Sequence, residues 1–401
     1  MPVTLPKILL APFLCILLIA CHSDKGEVIA SPPPRIVAPK QYGAVEIPYT
    51  DTTTKEWKET RDRLDSFYRV QVRTGFNGSV LIGYKGKILY ERYFGIANRE
   101  THLPLSKNTP SQLASTSKTF TGAAVMYLHE HKYLNINDHV SDFIKNFPYP
   151  GVTIKMLLSH RSGIPDYIHW VPAFLKNKNA MIDNDQMVAM MIKNKPRLEF
   201  KPNSRFHYSN SNYALLAKII EIVTEQKFGD FMQEYFFKPL GMKNTFVYDP
   251  TEGLPANTAQ SYKYNWVREP MMYADGVYGD KGIYSTVKDM YRWDQSFYQN
   301  ILLSNETLEL AYGPCSFEKP GVKNYGLGWR MLCYPDGYKV IYHNGWWHGN
   351  NTCFYRFIKD NFTVIVLGNK YHNAIYRQPQ ALFNLLNGSD SHSDKDDMTD
   401  E

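Results

Sequence analysis

Three pairs in this chain place a serine and a lysine three residues apart: Ser115/Lys118, Ser285/Lys288 and Ser316/Lys319. On a helix that spacing points both side chains the same way. A hydroxyl held against an amine near a helix N-terminus is a candidate activated nucleophile. Ser115 opens a run in which Phe120, Ala123, Ala124, Tyr127 and Leu128 recur with helical period, so an amphipathic helix is expected to carry it. The spacing alone is cheap, and what singles out Ser115 lies downstream. Tyr208-Ser209-Asn210 precedes a helical pattern over 213–223, and His343-Asn344-Gly345 follows a strand pattern and opens onto another. Tyr-x-Asn occurs five times and has no weight by itself, whereas His-x-Gly occurs once.

The elements that would hold these groups follow from the pattern. At 401 residues, 43% hydrophobic and 14% aromatic, the chain can bury a large core, which excludes a disordered or fibrous protein. Its formal charge of +6 is spread out, with no basic block, which argues against a nucleic-acid partner. Residues 57–73 read as a helix, and 78–84 with 88–94 as a β-hairpin. The middle, 115–260, reads as mainly helical. Strands return at 338–342 and 362–367, before a C-terminal helix over 375–386. Strands from both ends around a helical insert give an α+β fold: an antiparallel sheet flanked by helices, with a mainly helical subdomain.

Residues 1–20 read as an export signal, with Lys7 before an apolar segment too short to span a bilayer comfortably. Leu18-Ile19-Ala20-Cys21 resembles the bacterial lipobox, which implies lipidation of Cys21, a membrane anchor and a place in the cell envelope; an ordinary signal peptide cut nearby is the alternative. A Pro-rich spacer over 21–50, a catalytic domain over 51–387 and a disordered acidic tail over 388–401 complete the organisation. Cys315, Cys333 and Cys353 permit one disulfide and suggest no metal or redox centre. His129, His131 and His139 lack metal-ligand spacing, and no cofactor fingerprint is visible. His160 reads as a structural loop residue.

Taken in order, Ser-x-x-Lys, Tyr-x-Asn and His-x-Gly resemble the serine β-lactamase and penicillin-binding-protein family, in its class C branch with D-aminopeptidase and esterase relatives. The resemblance extends through 134–138, 152–165, 239–242, 280–286 and 325–329, and covers roughly residues 75–385. It implies a β-lactamase/transpeptidase-like fold and a metal-free acyl-enzyme route acting on a small molecule or peptide. Ser115 would be the nucleophile. Lys118 or Tyr208 would be the base, and Tyr208 would protonate the leaving group. Asn210 would hold the substrate amide and orient Lys118. The backbone N–H groups of Ser115 and Trp346 would form the oxyanion hole, with His343 and Gly345 completing the substrate side. Ser285/Lys288 falls in a stretch that packs near the site without supplying the nucleophile. His343 departs from the lysine usual in β-lactam-hydrolysing members, which favours an esterase or peptidase over a β-lactamase or D,D-peptidase. Trp346 and Trp347 suggest a bulky aromatic wall. A silent peptidoglycan-binding lipoprotein is the rival of another class.

Overall fold

The computed structural model describes Met1, residues 44–177 and residues 180–387. Apart from Met1, the residues read as an export signal, Cys21, most of the stretch read as a spacer and the stretch read as an acidic tail lie outside the described residues. Among those described, no helix is long and apolar enough to cross a membrane.

A seven-stranded sheet runs in the order Lys87–Phe94, Gly78–Tyr84, Phe362–Gly368, Asn350–Phe357, Lys339–Trp347, Arg330–Cys333, Lys323–Tyr325, and every pairing is antiparallel. The N-terminal hairpin thus joins a C-terminal meander, with Ser79 opposite Leu367 at the seam. Side chains alternate between two cores, as a pleated strand requires. Val80, Ile82, Val364 and Val366 pack beneath the Lys55–Arg73 and Gln378–Asn387 helices, with Leu64, Tyr68 and Phe383. Leu81, Ile365 and Leu367 face the larger core, with the Ser117–Glu130 and Val287–Tyr298 helices. Both faces being covered, the Asn350–Phe357 and Phe362–Gly368 strands are buried at every position.

The helix that follows Ser115 spans Ser117–Glu130 and is buried at every position from Ser117 to Leu128. The expected amphipathic helix is therefore corrected: this is a central helix with neighbours on all sides. Phe120 stacks on Trp293 at 4.2 Å between ring centroids. Gly122 lies so close to Gly328 that an added Cβ would sit 3.1 Å from the Gly328 Cα. That approach explains Gly328, while a Cβ on Gly326 would lie 2.3 Å from the Ala311 carbonyl oxygen. The Asn210–Thr224 helix packs alongside.

The helical reading of 57–73 is met by Lys55–Arg73, capped by the Thr54 side chain on the Trp57 N–H. Residues 45–50, read as the end of a spacer, are docked: Val45 and Ile47 are buried, and Thr50 N–H donates to the Ile88 carbonyl at 2.9 Å. The strand expected over 338–342 continues through Trp347, so the His-x-Gly residues lie within it. Cys315, Cys333 and Cys353 are all free thiols, and no disulfide forms among the described residues.

Trp293 is fully buried between the sheet and the central helix. Trp293→Ala is expected to cost about 3–5 kcal/mol, read as a lower urea midpoint with the m-value unchanged.

Candidate active site

Ser111–Gln112 pairs with Ile283–Ser285, and the Leu113 N–H donates to the Ile283 carbonyl at 2.8 Å. A 3-10 turn, Ala114–Thr116, then leads into the central helix. Ala114 has φ of +50°, an uncommon left-handed value for a residue with a Cβ, immediately before Ser115. The turn is pressed onto the Lys339–Trp347 strand at Gly345. A Cβ there would lie 2.3 Å from Thr352 Oγ1 and 2.4 Å from the Leu113 carbonyl oxygen. Thr352 Oγ1 in turn donates to that carbonyl at 2.8 Å. Gly345 therefore acts here by what it lacks.

Lys118, fully buried, brings the site together. Its Nζ lies 3.1 Å from Ser115 Oγ, 2.8 Å from Asn210 Oδ1 and 2.8 Å from the Asp280 carbonyl oxygen. It also stands over the rings of Tyr208 at 4.8 Å and Tyr213 at 5.7 Å. The two amide-type oxygens can only accept. A neutral amine has two N–H donors and one lone pair, so filling both acceptors leaves the lone pair for Ser115. The ammonium form would instead give its third N–H to the same oxygen. The triangle suits both states, as a group that takes a serine proton requires.

Asn210 opens the Asn210–Thr224 helix, so Tyr208 lies just outside the helix and Asn210 is its first residue. Its amide is oriented by Asp166, whose Oδ2 accepts Asn210 Nδ2–H at 2.8 Å and the backbone N–H at 2.9 Å. The Arg330 guanidinium stands 5.3 Å over the Tyr208 ring. His160 packs against Tyr208 at 4.3 Å, and its Nδ1 accepts the Ser209 N–H at 3.2 Å.

His343, on the Lys339–Trp347 strand with its ring 6.4 Å from that of Tyr208, is fully buried. Its Nδ1–H donates to the Asn344 carbonyl at 2.6 Å, so Nε2 accepts from the Tyr325 hydroxyl at 3.2 Å. Burial, then Arg330 and Lys118, push its pKa well below the usual histidine range. The imidazole is neutral and offers no charge to a substrate. The two tryptophans part company. Trp346 is 51% exposed, with its indole N–H on the His348 carbonyl at 2.9 Å. Trp347 turns inward, its N–H on Asp275 at 2.7 Å and its ring 4.7 Å from Lys281 Nζ.

Ser115, Lys118, Tyr208 and Asn210 are thus gathered at one place, with His343 beneath and Gly345 and Trp346 along the adjoining strand. Asp166, Asp280, Tyr325 and Arg330 were not singled out from the sequence. Asp280 lies inside a stretch that carries the family resemblance and Asp166 directly follows one, which was the available signal. Ser285 is fully buried against Thr245, and Lys288 lies over Tyr49, so that pair forms no site. No cluster able to hold a metal ion is found among the described residues.

Two outcomes follow from this geometry. His160 and His343 are both buried with pKa values driven down chiefly by burial. Below about 6.5 the unfolded chain binds protons that the folded chain refuses, so stability is full above that pH and falls beneath it. Urea midpoints at pH 7.5 and 5.5 check this, the lower pH giving the lower midpoint. Gly345→Ala is expected to lose about 1–3 kcal/mol by overpacking, seen as a lower melting temperature.

Comparison with known proteins agrees with the geometry. Residues 70–386 match the family model described as Beta-lactamase. Penicillin-binding protein 4* of Bacillus subtilis (strain 168) is 34% identical over 319 residues, which cover 76% of this chain and 70% of that one. A penicillin-binding protein from Bacillus halodurans superposes with a TM-score of 0.71 at 24% identity, over 79% of this chain and 98% of that one. FmtA from Staphylococcus aureus superposes with a TM-score of 0.66 at 25% identity, over 85% and 91%. The chain belongs to the Beta-lactamase family, and its function is of the serine hydrolase and acyltransferase type.

Proposed function

We propose that the protein hydrolyses an ester or amide through an acyl-enzyme on Ser115. The observation that carries this reading is the Lys118 triangle, which aims a nitrogen at Ser115 Oγ from 3.1 Å while two acceptor oxygens, Asn210 Oδ1 and the Asp280 carbonyl, each lie 2.8 Å from it. Ser115 Oγ attacks the substrate carbonyl as its proton passes to Lys118 Nζ. The oxyanion is held by the backbone N–H groups of Ser115 and Trp346. Along the Lys339–Trp347 strand, the Arg330–Cys333 strand pairs with Lys339–Tyr342, and the 114–116 turn packs against Gly345 beyond that point. Collapse of the tetrahedral intermediate expels the alcohol or amine, which takes a proton through Tyr208. Water then attacks the acyl-enzyme, and the acid leaves with Ser115 regenerated.

The neutral, buried His343 supports an ester or peptide substrate without a carboxylate bound at that point, and a cell-wall-related peptide or ester fits an exported enzyme. Export and anchoring through a lipid on Cys21 form part of this reading, supported by the lipobox-like Leu18–Cys21 stretch. A second reading, a β-lactamase or D,D-peptidase, draws on the names of the relatives and on Arg330, a cation beside Tyr208 that could receive a substrate carboxylate.

Intact-protein mass after exposure to a fluorophosphonate and, separately, to penicillin tests both. Wild type is expected to gain one fluorophosphonate adduct that Ser115→Ala does not gain, and no penicillin adduct. A penicillin adduct on Ser115 would move the assignment to the second reading. Absence of any adduct would contradict the acyl-enzyme route.

A further inference from the structure

The amide of Asn210 faces a choice that its own contact with Lys118 does not settle. With Oδ1 toward Lys118 it accepts an N–H; with Nδ2 toward Lys118 it would donate. In the second arrangement the lone pair of a neutral Lys118 would be drawn to Asn210 instead of Ser115. Asp166 decides between them. Its carboxylate can only accept, and Oδ2 takes both the Nδ2–H at 2.8 Å and the backbone N–H at 2.9 Å of Asn210. Oδ1 is anchored separately, accepting the Ile168 N–H at 3.0 Å as the cap of a short helical turn. The carboxylate is therefore held at both oxygens and cannot swing away without loss.

We propose that Asp166 is a positioning residue, which fixes the Asn210 carboxamide with its oxygen on Lys118 and so directs the lysine nitrogen at Ser115. The inference rests on the reading of Ser115 as the nucleophile. Asp166 also places a negative charge one amide away from Lys118. The groups around Lys118 include Tyr208, Tyr213 and the Asp280 carbonyl, with His160, His343, Arg330 and the buried Asp280 carboxylate–Lys281 pair beyond them. Tyr167 and Tyr273 feel the Asp166 charge from their own elements. Replacing Asp166 alone by a neutral residue lifts its charge from Tyr167 and Tyr273 and leaves every other one of these groups in place.

The test is the pH profile of the fluorophosphonate labelling rate for the full chain, in wild type, Asp166→Asn and Asp166→Ser. The serine variant retains a hydroxyl able to cap Ile168, so a folding defect in one variant leaves the other to decide. Melting temperatures establish which variants are folded. Loss of a nearby anion lets the base shed its proton more easily. The rate is expected to reach half its plateau at a pH lower by about half a unit or more, with the plateau lowered about tenfold by the freed amide. An unmoved midpoint, with or without a lower plateau, overturns the inference and leaves Asp166 a helix cap. Failure of wild type to label, or equal labelling of Ser115→Ala, would instead overturn the nucleophile assignment.

Discussion

A lysine side chain buried to zero exposure is the constraint around which this molecule is arranged. An amine in that position costs free energy unless its hydrogen bonds are met. Three parts of the chain far apart in sequence meet them: the turn before the central helix, the start of the Asn210–Thr224 helix, and the backbone at Asp280. Each contact ties a different layer to the same nitrogen. The Gly345 approach fixes the turn against the sheet, and the Ile283–Ser285 strand fixes it against the loop that carries Asp280. The site is accordingly a junction of layers.

The same economy runs through the residues around it. Tyr208 is flanked by cations and by a histidine whose ring nitrogen holds the backbone of the next residue. Asp280 serves twice, its carbonyl on Lys118 and its carboxylate with Lys281 and Tyr167. Trp347 covers Lys281, so a second buried lysine is shielded beside the first. Electrostatics and packing are supplied by the same side chains, which makes isolated substitutions here far-reaching.

Much of this was legible in the sequence. Ser115, Lys118, Tyr208 and Asn210 have the types and order that a serine acyl-transfer site needs, and the structure gathers them. The hairpin over 78–94 and the strand over 362–367 were visible because short apolar runs rich in β-branched and aromatic residues, broken by a turn, report strands directly. The central helix misled, because small residues such as Ala123 and Ala124 do not reveal that both of its faces are covered. The strand through His343 was cut short in the reading, since Asn344 and Gly345 look like turn residues. They are in a strand because they pair with Cys353 and Thr352 of the Asn350–Phe357 strand. Asp166 carried no periodic or motif signal of its own, as its role depends on an amide 44 residues away.

The measurement that bears most directly on the Lys118 account is the single-turnover acylation rate of Lys118→Met, a variant of similar length without the nitrogen. The folded variant is predicted to lose about 10²–10⁴ in rate, the range expected when a positioned base is removed. A rate within tenfold of wild type would show that the buried lysine holds the structure without taking the serine proton, and the account would fail.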